Sequence, residues 1–252
     1  MTGERVVTAA VLIIGNEILS GRTQDVNLAY LGQQLNGMGV RLREARVVAD
    51  VEDEIVAALN ELRARYDYVF TTGGIGPTHD DITSESVARA FGVKLIRHPE
   101  AERRLRAHYD PDKVNEARLR MANTPDGATL VDNPVSIAPG YQMGNVFVLA
   151  GVPAIMRAMF DSLKDRLVGG APVRSISVPA FVAEGTIAKD LGELQARFPE
   201  LDIGSYPFFR AGRFGTSLVL RGTDEARLAL AAQELRSLIR RLGAEPLDKE
   251  PD

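Results

Sequence analysis

Residues Val6 to Ile14, VVTAAVLII, form an unbroken apolar run of strand length near the start of the chain. A strand with no polar face must be covered on both sides, as in the middle of a parallel sheet flanked by helices. At about half the roughly 20 apolar residues a membrane span needs, and following Glu4-Arg5, the run is read as neither an anchor nor a signal peptide. Beyond Ile14 the apolar pattern alternates between helical and strand periods. Leu28, Leu31, Leu35 and Met38 lie on one helical stripe that Gly39 ends, and Val40 to Ala49 reads as a second strand. Asp50 is then expected to cap a helix with Ile55, Leu59 and Leu62 inward, and Tyr66 to Thr72 is a third strand. This β-α-β-α-β order predicts an α/β fold, a three-layer α/β/α arrangement with a mostly parallel sheet. Its ligand belongs at the carboxyl ends of the strands.

Residues 93–144 are less regular. Val93 to Ile96 reads as a short strand, Pro99 as the start of a helix, and Val114 to Ala122 as a helix resumed after Asp110-Pro111. Pro125-Asp126-Gly127 is a turn, and Asn133-Pro134 and Pro139-Gly140 bracket another. Asn145 to Ala150 returns to a strand, followed by a helix carrying Ile155, Met159, Phe160 and Leu163. Gly169-Gly170-Ala171-Pro172 is the best linker in the chain. It divides residues 1–168 from residues 173–252, which read as a small βαββα domain of α+β type. Arg210 and Arg213 fall at a turn of that domain, and from Glu245 the tail is polar and expected to fray.

Chemistry is densest from Thr71 to Thr83, TTGGIGPTHDDIT. The third strand delivers the chain into Gly73, Gly74 and Gly76, and a helical pattern from Ser84 to Phe91 follows, stopped by Gly92. Glycines let backbone N–H groups approach an anion, and a helix N-terminus has unpaired N–H groups and a positive dipole end. Asp80 and Asp81 would repel a phosphate unless a cation lay between, so the segment reads as a site for a divalent metal and a phosphate. The competing reading is a tight turn, with Thr83 as N-cap and Glu85 in the first helical turn. The dinucleotide fingerprint fails because His79 stands where its last glycine would be, and no P-loop pattern occurs.

From Gly74 to Thr83 these residues match, without a gap, the G-x-G-P-T-x-D-D-x-T core of the molybdenum-cofactor-biosynthesis (molybdopterin-binding) fold. Within that fold the chain resembles the N-terminal region of the competence/damage-inducible protein A (CinA) family. Gly15 to Gly21 matches its G-[DE]-E-[IL]-L-x-G segment with Asn16 in place of the acid, and Asn27 matches an asparagine of the next helix. Asn133 to Gly140 matches N-P-x-x-x-A-P-G, and Leu149 to Pro153 matches L-P-G-V-P with Ala150 for proline. The resemblance implies Asp80, Asp81 and Glu17 as catalytic residues, the two aspartates also holding Mg²⁺, Mn²⁺ or Co²⁺. Gly73, Gly74, Gly76, Pro77, Thr78, Thr83, Asn27, Gly140 and Gly151 would bind the phosphate-bearing small molecule. His79 stands at a position the family leaves variable.

Three activities are compatible with such a site. One is a metal-dependent pyrophosphatase acting on ADP-ribose or FAD. The others are a molybdopterin-binding module without turnover and a molybdopterin adenylyltransferase. Fused members of the family continue into an amidohydrolase domain that deamidates nicotinamide mononucleotide; with the chain ending at Asp252, that activity is expected to be missing. The fold also implies a homo-oligomer. A net charge of −4 argues against a nucleic-acid partner, which wants a basic face. With no cysteine, disulfides and thiolate chemistry are excluded, in keeping with a cytoplasmic location. No serine-triad order or H-E-x-x-H occurs, and His98 and His108 are read as surface residues.

Overall fold

In a computed structural model, which describes residues 6–210 and 212–249, the chain separates into two compact units at the Gly170–Ala171 bond. The first is built on a six-stranded sheet. Its strands are β1 (Val7–Ile14), β2 (Val40–Val48), β3 (Tyr68–Thr72), β6 (Thr129–Val131), β7 (Gly140–Met143) and β8 (Val146–Leu149), in the order β2-β1-β3-β8-β7-β6. A separate two-stranded ladder joins β4 (Leu95–Arg97) to β5 (Asn123–Pro125). The helices are α1 (Asn16–Leu19), α2 (Asn27–Gly37), α3 (Glu52–Arg65), α4 (Thr83–Phe91), α5 (Pro99–His108), α6 (Glu116–Arg120) and α7 (Pro153–Leu163).

β1 shows why the opening run is apolar throughout. Ala9, Val11 and Ile13 face Leu31 and Leu35 of α2 and Met156, Phe160 and Leu163 of α7. Ala10, Leu12 and Ile14 face Ile55, Leu59 and Leu62 of α3 and Val87 of α4. Successive side chains of one strand therefore feed two cores, which makes three layers. The pairs β2–β1, β1–β3 and β3–β8 are parallel, whereas β8–β7 and β7–β6 are antiparallel. The parallel expectation thus holds for four strands. The antiparallel edge went unread because β6 and β7 are too short for a period to emerge from the surrounding turns.

Several local readings are corrected. Asp50 does not cap α3, whose N-cap is Val51; its carboxylate instead accepts the N–H of Asn16 at 2.8 Å. Thr83 is the first residue of α4 and not its cap. The helix read over 114–122 shortens to α6, where the side chain of Asn115 is the cap. His98 is half-buried and its Nδ1 has no hydrogen-bond partner among the described residues, contrary to a surface placement; His108 is exposed. Gly169 and Gly170 are not free linker. A Cβ on Gly169 would collide with the Met38 carbonyl, and the Gly170 N–H donates to Gly39 at 3.1 Å.

The second unit is a three-stranded antiparallel sheet of β9 (Arg174–Ala180), β10 (Asp202–Arg210) and β11 (Arg213–Gly222), in the order β10-β11-β9. Helices α8 (Glu184–Arg197) and α9 (Glu225–Arg241) complete a βαββα unit. Its core joins Val178 and Leu218 of the sheet to Ile187 and Leu194 of α8 and Leu228 and Leu235 of α9. Arg213 lies over the Phe181 ring at 4.3 Å, and Arg210 donates to the Phe209 carbonyl. The tail does not fray at Glu245. Pro246 bridges Ala180, and the Leu247 N–H donates to Pro179 at 2.7 Å. Ala211 of the arginine turn and tail residues 250–252 lie outside the described residues.

Candidate functional site

Three neighbouring parallel strands end level with one another. Ile13 is opposite Thr72, and Thr72 is opposite Leu149. Each strand then runs into a loop containing glycine: Gly15 after β1, Gly73 after β3 and Gly151 after β8. The absence of side chains lets the three loops lie against each other. A Cβ on Gly73 would collide with the Ile14 carbonyl oxygen, and one on Gly151 would sit 3.3 Å from the Gly73 Cα. Gly73 and Gly74 both have positive φ, 103° and 67°, which side chains disfavour. Thr83 closes this arrangement from behind. It is buried, and its hydroxyl donates to the Gly73 carbonyl at 2.9 Å while its N–H donates to that of Gly74 at 3.0 Å.

Above these strand ends is a cavity of about 490 Å³, within the range of small-molecule sites. Gly73, Gly74, Gly76, Pro77 and Gly151 line it, as do Glu17 and Asp81. Asp81 Oδ2 accepts the N–H of Thr78 at 2.8 Å and also the Thr78 hydroxyl, so the carboxylate folds over the loop. A Cβ on Gly76 would lie 2.6 Å from that oxygen. Arg120 of α6 holds the turn from outside, donating to the carbonyls of Thr78 and Asp81 at 3.1 and 3.3 Å. Neither Asp81 Oδ1 nor the Glu17 carboxylate accepts a hydrogen bond or pairs with a cation among the described residues. Among the described residues no lysine, arginine or histidine lines the cavity.

Some expected site residues fall elsewhere. Asp80 is exposed and does not line the cavity, because the Thr78–Asp81 turn sends adjacent side chains apart. Its carboxyl is held below its ordinary range by the Thr78 hydroxyl and its own N–H, although the well-formed hydrogen bond of that hydroxyl goes to Asp81. Thr83 and Asn27 support the wall and are not open to a ligand: the Asn27 amide donates to the Gly151 carbonyl at 2.8 Å. Gly140 is a structural residue of β7, where a Cβ would strike the Val148 carbonyl. Thr78 is exposed, with its N–H and hydroxyl committed to Asp81.

Other lining residues went unread. Thr23, Met121, Ser136, Ala138, Ile155 and Met159 also line the wall. Ser136 and Ala138 lie in the Asn133–Gly140 segment, whose pattern drew attention to its last glycine and away from its middle. A larger cavity of about 610 Å³ lies on the other side of Asn133, bounded by Arg103, Arg104 and Asp132. Both arginines are already paired with Glu100, and Arg104 also with Asp132. None of the glycine loops reaches it, so the smaller cavity is the candidate site.

The donor set bears on a metal. Among the described residues there is no group of three or more His, Cys, Asp or Glu side chains able to hold an ion unaided. Mg²⁺-type ions are commonly bound by one or two carboxylates with phosphate oxygens completing the shell, and this cavity offers two carboxylates without counter-charge among the described residues. Asp81 and Glu17 are the carboxylates that face this cavity, and Asp80 does not line it.

Level strand ends running into glycine loops beneath an acid-lined cavity define an α/β domain of the molybdenum-cofactor-biosynthesis fold. Residues 10–168 match the family described as "Probable molybdopterin binding domain", and the chain belongs to that family, within which it is CinA-like. Residues 172–246 match the "FAD synthase, middle domain" family. The crystal structure of a CinA protein of unknown function from Thermoplasma acidophilum is 36% identical, with a TM-score of 0.60 over 63% of this chain and 96% of that one. A protein of Pyrobaculum calidifontis is 36% identical over 79% of this chain and 80% of its own. A "Probable FAD synthase" of Caenorhabditis briggsae is 31% identical, matching 92% of this chain but 49% of its own length. Among the described residues no helix is long and apolar enough to cross a membrane.

Proposed function

We propose that the protein is a divalent-metal-dependent pyrophosphatase that cleaves a nucleoside-diphosphate-linked substrate such as ADP-ribose or FAD. The observation that carries this reading is the pair Asp81 and Glu17, two carboxylates without counter-charge on a cavity walled by glycine backbone. The similarity to FAD synthase over both units agrees with a nucleotide-related ligand.

In this reading the glycine loop lets the diphosphate approach the main chain, where N–H groups stabilise oxygen charge that grows in the transition state. Asp81 and Glu17 would hold a divalent ion, which would supply charge neutralisation at the phosphates and acidify the attacking water. As water adds to phosphorus, its proton would pass to the Glu17 carboxylate oxygen that does not hold the ion; among the described residues Glu17 accepts no hydrogen bond through its side chain. The bond broken is that between the bridging oxygen and the attacked phosphorus, and the other phosphate leaves with the bridging oxygen. Thr78, Arg120 and Thr83 keep the loop in shape.

A second reading, molybdopterin binding without turnover, is favoured by the family's description and by Met121, Ile155 and Met159 on the wall, which suit a flat ring system. The purified chain incubated with ADP-ribose, FAD or NAD and Mg²⁺, Mn²⁺ or Co²⁺ separates the two. Metal-dependent release of a nucleoside monophosphate is expected. Absence of release from every substrate with every ion would leave the binding reading.

A further inference from the structure

Ile137 is the one non-glycine with positive φ, 67°, among the described residues. For a β-branched side chain this conformation is strained, and it persists only where neighbours over-determine it. The neighbours here are explicit. The Ala138 N–H donates to the Ser136 carbonyl at 2.8 Å, a three-residue turn centred on Ile137, and the Ile137 N–H donates to Asn133 at 3.0 Å. Asn133 is buried, and its Oδ1 accepts the N–H groups of Val135 and Ser136, each at 3.1 Å.

A backbone N–H can only donate, so these two contacts fix which end of the Asn133 amide is oxygen. Nδ2 then donates both to the Ala138 carbonyl and to the Ser136 hydroxyl oxygen, each at 2.7 Å. Ser136 Oγ is therefore an acceptor toward Asn133, and its own proton has no acceptor among the described residues. Ser136 lines the same cavity as Asp81 and Glu17, and no cationic side chain does. Ligand oxygens not bound to a shared ion must there be met by neutral donors.

We propose that the Ser136 hydroxyl is a ligand-binding donor to a non-bridging phosphate oxygen, aimed by Asn133, and that the strained turn at Ile137 presents it. The assignment rests on the reading that this cavity takes a phosphate-bearing ligand, but it does not require turnover.

The test is calorimetric titration of the full chain with inorganic pyrophosphate and Mg²⁺. Ser136→Ala removes one oxygen and is expected to weaken binding about tenfold, as loss of a hydrogen bond to a charged group does. Ile137→Gly relieves the strain, so its melting temperature should rise while its affinity falls. A merely structural turn would give the rise without the fall, and that result overturns the presenting role. Unchanged affinity in Ser136→Ala overturns the donor role, and a wild type blind to pyrophosphate overturns the ligand class. A wild type that binds pyrophosphate with the Ser136→Ala deficit, yet cleaves neither ADP-ribose nor FAD, sustains this site while removing the pyrophosphatase reading.

Discussion

The side-chain amide of Asn27 donates to the main-chain carbonyl of Gly151 at 2.8 Å, joining the first turn of α2 to the loop before α7. Asn27 is buried, and its Oδ1 has no hydrogen-bond partner among the described residues. The bond ties two loops that wall the cavity, and without it the Gly151 carbonyl loses its side-chain partner. Asn27→Ala should destabilise the protein by about 0.5–1.5 kcal/mol, the net worth of one hydrogen bond, and Asn27→Asp by more, since a carboxylate cannot donate and would face a carbonyl. Denaturant unfolding measures both, and a midpoint unchanged in the alanine variant would contradict the role.

Gly73 and Gly76 should behave differently although they are three residues apart. An alanine at Gly73 meets the Ile14 main chain at a positive φ, so Gly73→Ala should cost about 2–3 kcal/mol of stability or more. At Gly76 the atoms nearest the added Cβ belong to the Asp81 carboxylate, the first 2.6 Å away. Gly76→Ala should therefore leave the melting temperature nearly unchanged while displacing Asp81 and lowering turnover. Equal losses of stability in the two variants would show that Gly76 serves the turn alone.

Asp81→Asn should abolish metal-dependent turnover in a folded protein. The expected loss is about 3–4 kcal/mol in the transition state, or a 10²–10³-fold fall in kcat. Asp80→Asn, outside the cavity, should have little effect. Normal kinetics in the Asp81 variant across a metal titration would remove that residue from the metal site.

Glu100 sits between two arginines of its own helix, and hydrogen bonds from Arg103 and then Arg104 hold its carboxyl down to about 2. A depressed carboxyl contributes stability above its unfolded value, near 4.5, and loses that contribution as the pH falls through the folded value. The window is therefore pH 4.5 down to about 2. A carboxyl carbon titration by NMR should place the Glu100 midpoint near 2, rising toward the ordinary value in Arg103→Ala. A wild-type midpoint above 4 would mean that the arginine pair is not formed in solution.

Each unit has its own apolar core, made of residues up to Leu167 in the first and from Val178 to Ile239 in the second. A fragment of residues 1–170 should fold and bind pyrophosphate with Mg²⁺ as the full chain does. Ending it at 168 would remove the Gly170 bond to Gly39 and should lower its melting temperature. A folded 1–170 fragment without affinity would mean that residues 171–252 take part in binding.

Much of this architecture is a matter of local period. An apolar run buried on both faces, helical stripes ended by glycine, and strands running into glycine turns are all decided within a few residues of the chain, and β1, α2, β3 and α4 form where those patterns stand. The strand ends that carry the site come from the same patterns, because parallel strands joined by helices bring their carboxyl ends to one edge of the sheet. What each polar side chain faces was decided only by tertiary structure. Asp80 and Asp81 are neighbours in sequence, yet only Asp81 turns to the cavity, drawn over the loop by Thr78. Gly140 became a close-packing residue because Val148, on the adjacent strand, leaves no room for a Cβ. Ser136 became a free donor because the buried amide of Asn133 can be satisfied in one orientation alone. Hydrogen bonds such as that of Asn27 to Gly151 connect residues far apart in the chain, and no period within either segment encodes which partner lies opposite.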